Sequence, residues 1–207
     1  MRFLLRRERR LRALVLACAM LVAGAGSTRA DTYGFDKQHT NILFSWDHLG
    51  ISRQHGRVMS FDGTVEFDPA APEQGSVDVT MKVASIWTGA DALDRLLRTA
   101  DYFDAETYPT MTFKSTAVRK TGEKTGEVTG DLTIMGFTQP ATLQVTWNFT
   151  GEHPLARLNP LYLDKTVSGF TAQTRILRSA FGIKRGTPLA SDEIDIVINA
   201  ELIKREK

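Results

Sequence analysis

The chain has 207 residues, 26 of them Lys or Arg and 24 Asp or Glu, for a formal net charge of +2. That balance describes a precursor: residues 1–30 hold seven arginines and one glutamate, so the remainder carries 19 basic against 23 acidic side chains, a net of −4. A mildly acidic chain with mixed charges excludes broad nucleic-acid binding, which needs a basic stripe. The one cysteine, Cys18, leaves with the leader, so no disulfide framework holds the rest.

Arg2, Arg6, Arg7, Arg9, Arg10 and Arg12 precede an apolar run from Ala13 to Ala23. That run falls short of the ~20 residues a membrane span needs, so it reads as a secretory signal, cleaved after Ala30. Residues 31–207 read as one domain, with no linker or internal repeat to divide them.

Short alternating segments follow, each with one greasy face. Ile42, Phe44 and Trp46 share a face, as do Val77, Val79, Met81 and Val83, and Leu132 and Ile134. Leu143, Val145 and Trp147 form another, followed by Phe170, Ala172 and Ile176, then Ile194, Ile196 and Ile198. A period of two predicts strands half buried against an apolar interior. Turn signals at Asp62-Gly63, Asp68-Pro69, Gly75-Ser76, 120–126, Met135-Gly136 and Arg185-Gly186 separate them, as an antiparallel meander requires. Between strands, Leu93, Leu96, Leu97 and Ala100 stand at helical spacing and predict a short amphipathic helix over Asp91 to Phe103, ending before Tyr108-Pro109. About eight strands make an all-β protein whose barrel is either packed solid or lined around a guest; the pattern alone leaves both open.

Residues with catalytic chemistry are few. His39, His48, His55 and His153 show no metal-ligand spacing, and neither a nucleophile elbow nor a dinucleotide loop is present. Lys120-Thr121-Gly122 reads as a solvated hairpin tip, and Asp101 and Asp104 as turn and capping residues where the helix ends. No metal and no catalytic residue is expected.

An ordered series of motifs runs through the chain: Tyr33 to His39, His48-Leu49-Gly50-Ile51-Ser52, Gly56-Arg57, Phe61-Asp62-Gly63 and Ala84-Ser85-Ile86 with Thr88-Gly89. Tyr102-Phe103-Asp104-Ala105 leads to Tyr108-Pro109 and Phe113. Gly130-Asp131-Leu132-Thr133-Ile134 precedes Gly136, Thr138, Pro140 and Thr142-Leu143. His153-Pro154, Gly169-Phe170, Arg178-Ser179 and Phe181-Gly182 complete the series. Together they resemble the YceI-like polyisoprenoid-binding family of secreted bacterial proteins. Two positions depart from it: Ala180 stands where relatives often have Asp, and Trp87 where they carry something smaller and more polar.

The resemblance implies an extended eight-stranded antiparallel lipocalin-like barrel with a helix insertion, enclosing an apolar tunnel. It also implies a polyisoprenoid lipid or isoprenoid quinone as ligand and a periplasmic location. Ile42, Phe44, Trp46, Val79, Met81, Phe113, Ile134, Val145, Phe170 and Ile196 are the expected lining, with His48 and Arg57 near the mouth for a head group. No cofactor other than the bound lipid is expected, nor any nucleic acid; transient membrane contact and a homodimer are both compatible with such a carrier. The leucine-rich loop Leu155 to Leu163 would change ligand length or access if it folds over the mouth. Two alternatives stand beside this reading: an enzyme acting on the bound isoprenoid through His48, Arg57 and Asp104, and a secreted stress-response module with a filled barrel.

Overall fold

The computed structural model describes residues 30–206, so the expected leader lies outside the described residues but for Ala30. In chain order the strands are β1 (Asp31–Phe35), β2 (Asn41–His48), β3 (Ser52–Val58), β4 (Phe61–Phe67), β5 (Ser76–Lys82) and β6 (Ile86–Trp87). Helix α1 (Asp91–Leu97) comes next, then β7 (Thr110–Lys120), β8 (Thr125–Ile134), β9 (Phe137–Glu152), β10 (Thr166–Leu177) and β11 (Glu193–Lys204).

Every strand pairing is antiparallel, and the β1–β11 pair closes the sheet into a barrel. Several segments lie end to end along one neighbour: β1 and β2 both run along β11, with Phe35 opposite Leu202 and Asn41 opposite Asn199. Likewise β4 and β3 pair with β1 and β2, and β5 and β6 with β4 and β3. The wall is therefore an eight-stranded barrel. The break between β1 and β2 is held by the side chains of Asp36 and Thr40. Asp36 Oδ1 accepts the Gln38 N–H at 2.9 Å, while Thr40 Oγ1 donates to the Glu201 carbonyl at 3.0 Å and accepts its N–H at 3.1 Å.

The alternating faces fall where the period of two puts them, but three local readings change. Asp62-Gly63 is no turn: both residues lie inside β4, opposite Thr80 and Val79. A β-carbon on Gly63 would come within 2.0 Å of the Asp78 carbonyl oxygen, so glycine is needed there for close strand approach. The helix is shorter than its periodicity predicts. It ends at Leu97, after which Thr99 Oγ1 donates to the Leu96 carbonyl at 2.8 Å and the chain turns through Asp104, whose φ is 44°. Asp94, a charged residue beside the apolar Leu93, is buried, its Oδ1 accepting the Thr88 N–H at 2.8 Å and the Thr88 hydroxyl at 2.7 Å. Met135-Gly136 does form the predicted hairpin turn, both residues having positive φ between the paired Ile134 and Phe137.

Candidate ligand tunnel

One cavity of about 970 Å³ runs through the barrel. This is near the upper end of the ~300–1,000 Å³ typical of small-molecule sites. At one end its walls include Leu93, Leu96 and Leu97 of α1, Tyr102, Phe103 and His48. At the other they include Lys120, Glu123 and Lys124 at the β7–β8 turn, with Glu66, Pro69 and Pro72. Between the two ends the wall is almost wholly apolar. Twelve-residue β10 extends about 40 Å at ~3.3 Å per residue, or about 30 Å along the axis at a ~40° tilt. The bore is therefore long as well as greasy.

The structure places the expected lining residues as follows. Ile42, Phe44, Trp46 and His48 from β2, Val79 and Met81 from β5, Phe113 from β7, Ile134 from β8, Val145 from β9, Phe170 from β10 and Ile196 from β11 all face the cavity. Arg57 does not. On β3 the inward positions belong to Gln54 and Val58, with Gly56 beneath the Phe44 ring, so alternation turns Arg57 outward. There it pairs with Trp87 and donates Nη2 to Asn41 Oδ1 at 2.9 Å. Asp104 is also outside the lining, its Oδ1 facing the Thr107 N–H at 3.4 Å in the turn. The polar set His48, Arg57 and Asp104 thus does not come together in the cavity. Asp101, the other turn carboxylate, pairs with Arg185 at 2.9 Å.

At the β7–β8 end an aromatic cluster borders the bore. Phe67 meets Trp147 edge-on at 5.5 Å and Phe170 at 5.0 Å, with Tyr33 and Leu202 buried against them. Lys124 Nζ stands 5.7 Å from the Trp147 ring centroid. At the α1 end Phe44 and Trp46 stack at 5.8 Å. The loop Leu155 to Leu163 contributes nothing to the cavity wall. It is anchored by the stack of His153 on Tyr162 at 3.8 Å and by His153 Nδ1 accepting the Leu155 N–H at 3.0 Å.

One residue of the α1 mouth has no periodic signal. Arg178, buried at the start of the short 3-10 turn Arg178–Phe181, spends all five guanidinium N–H groups on loop oxygens. Nε donates to Ser191 O, Nη1 to Ile183 O and Arg185 O, and Nη2 to Thr187 Oγ1 and Ala190 O. That loop supplies Gly186, Leu189, Ala190 and Ser191 to the mouth. Asp192 secures its far end. Hydrogen bonds from the Ser179 hydroxyl and N–H hold its carboxyl below the usual carboxylate range, against the upward push of burial, with the nearby Arg178 adding to the effect.

Among the described residues, one group places histidine and carboxylate donors within 4.8 Å of one another: Asp36, His39 and Glu201. Asp36 and His39 are already bonded to each other at 2.8 Å in the β1–β2 turn, outside the cavity.

A known family model, the YceI-like domain, matches residues 33–202. The chain belongs to the YceI-like family. A UPF0312 protein of Pseudomonas putida (strain W619) is 37% identical over 196 residues, covering 94% of this chain and 96% of its own. Among solved structures, Burkholderia cenocepacia BcnA superposes with a TM-score of 0.68 at 28% identity, over 83% of this chain and 99% of that one. A polyisoprenoid binding domain from Saccharophagus degradans, implicated in plant cell wall breakdown, superposes with a TM-score of 0.60 over 84% of this chain and 98% of that one. At 14% identity that likeness is one of fold. Within this YceI-like barrel the cavity of about 970 Å³ makes the interior lined rather than filled.

Proposed function

We propose that this YceI-like protein is a periplasmic carrier that holds a polyisoprenoid lipid or isoprenoid quinone in its bore. The observation that carries this reading is the continuous apolar cavity of about 970 Å³ reaching from α1 to the β7–β8 turn. Each CH₂ withdrawn from water contributes roughly 0.8 kcal/mol, so a long tail binds by burial alone, less the cost of ordering it. The shared fold with a polyisoprenoid binding domain supports the ligand class. The arginine-rich leader of the sequence supports export.

Binding is favoured over turnover because Arg57 and Asp104, the groups His48 would need beside it, both lie outside the cavity. No cofactor beyond the lipid is required by such a role. Organic extraction of natively purified protein followed by mass spectrometry should release a prenyl lipid. A titration with quinones of graded tail length should show affinity rising with each isoprene unit until the bore is full. Affinity independent of tail length would overturn the tail-burial account.

A further inference from the structure

The two ends of the bore differ in chemistry. At the β7–β8 end the rim that lines the cavity carries Glu66, Lys120, Glu123 and Lys124. At the α1 end the apolar wall continues onto the outside of the molecule: Leu96 and Leu189 both line the cavity, yet are 41% and 58% exposed. The β2–β3 turn extends this surface. The Leu49 N–H donates to the Leu189 carbonyl at 3.0 Å, which places the turn against the lip, and Leu49 and Ile51 are 48% and 80% exposed. Leu49 also sits at φ 61°, the left-handed region that a leucine occupies only at a steric cost and that glycine, asparagine or aspartate tolerate. A strained, half-exposed leucine that belongs to neither the core nor the cavity wall has its place explained by what it meets outside.

We propose that Leu49, Ile51, Leu96 and Leu189 form a lip that docks the α1 mouth onto a lipid bilayer, so that a prenyl tail passes between bilayer and bore without crossing water. The inference rests on the carrier reading for its purpose. The bilayer is the occupant because the lip is continuous with a cavity wall of the same apolar chemistry, which only a hydrocarbon phase extends. The charged opposite rim stays in water.

The test uses protein purified after expression of the full chain, with phosphatidylcholine vesicles as the probe. Leu49→Asn/Ile51→Ser removes the tip of the lip, suits the left-handed backbone and leaves the cavity wall untouched. Leu158→Ser/Leu161→Ser, which alters residues 80% and 79% exposed in the β9–β10 loop at the other end, is the control. Vesicle flotation should fall about tenfold for the lip variant and stay unchanged for the control, while binding of a short-tailed quinone added from solution is equal in all three. Transfer of a fluorescent long-tailed quinone between vesicle populations should slow with the lip variant alone. Wild-type flotation by the lip variant, or loss of flotation by the control, would overturn docking through this mouth. Absence of quinone binding in every protein would sink the carrier reading, while flotation still decides the docking surface.

Discussion

The ring of Phe44 lies across Gly56 on the neighbouring strand, so close that a β-carbon at position 56 would stand 2.3 Å from Phe44 Cζ. Phe44 in turn stacks on Trp46 at 5.8 Å, so the hydrogen at Gly56 sets where this aromatic pair enters the bore. Gly56→Ala should push Phe44 toward the axis, lower the unfolding free energy by roughly 1–3 kcal/mol and shorten the longest quinone tail that binds tightly. Adding Phe44→Leu should restore both, because the clash is with the ring edge. Chemical denaturation and a tail-length titration on the single and double variants check this. Independent, additive effects would show that the ring is not the obstacle.

Strand residues that carry a large side chain announced their face, and those without one did not. Ile42, Phe44 and Trp46 were legible because alternation on a pleated strand leaves no other arrangement once one face is apolar. Arg57 was misplaced because Gly56, which holds the inward position beside it, has no side chain to mark that face. Gly63 misled in the same way: a glycine needed for close strand approach reads like a turn glycine. The bulge in β7, where the register shifts between Ser115 and Ala117, moves the inward face from Met111 and Phe113 to Val118, and periodicity gives no warning of it. Arg178 was legible as a motif residue, but its role depends on five oxygens of a loop that follows it, a relation no local pattern encodes.

Ala172 lies midway along β10, opposite Val145 and Ile198, and lines the cavity. A larger side chain there enters open bore rather than packed core, so the usual cost of overpacking should be small. Ala172→Trp is expected to divide the bore, abolish tight binding of long-tailed quinones and spare short-tailed ones, with a melting temperature at or above that of the parent. Calorimetric titration with both quinone classes, alongside thermal unfolding, is the check. Unchanged long-tail affinity would mean that the tail does not pass Ala172.

The loop that completes the α1 mouth is organised by one charge. Arg178→Met keeps the bulk of the side chain but strands the five acceptors now paired with the guanidinium, from Ser191 O at 2.9 Å to Arg185 O at 2.6 Å. Hydrogen bonds to a buried charged donor contribute on the order of 1.5–3 kcal/mol each in favourable cases, and the loop can rehydrate some of its carbonyls, so a loss of about 3–5 kcal/mol is expected. Amide exchange should quicken first in residues 183–191 and only later in β10 and β11. Equal acceleration across the barrel would show that Arg178 supports the whole fold rather than the mouth.

The β1–β2 turn should make stability depend on pH through His39 and Asp36, joined at 2.8 Å. The hydrogen bond to Asp36, aided by its charge and by that of Glu201, raises the His39 pKa above the ordinary histidine value. Burial pushes Asp36 upward, but the hydrogen bonds from the His39 ring and the Gln38 N–H reverse this and leave it below the usual carboxylate range. The signs are opposite. The raised histidine contributes stability that is fully present below its unfolded pKa and is lost as pH rises through its folded one. The lowered carboxylate contributes above its unfolded pKa, and that contribution is lost as pH falls through its folded one. The turn is therefore tightest in the mildly acidic window between the two, where Asp36 is ionised and His39 protonated. In Asp36→Asn the His39 ring resonances, followed by NMR, should titrate lower than in the parent, and the decline in stability from mildly acidic to neutral pH should flatten. A His39 titration unaffected by Asp36→Asn would show that the pair does not set its charge.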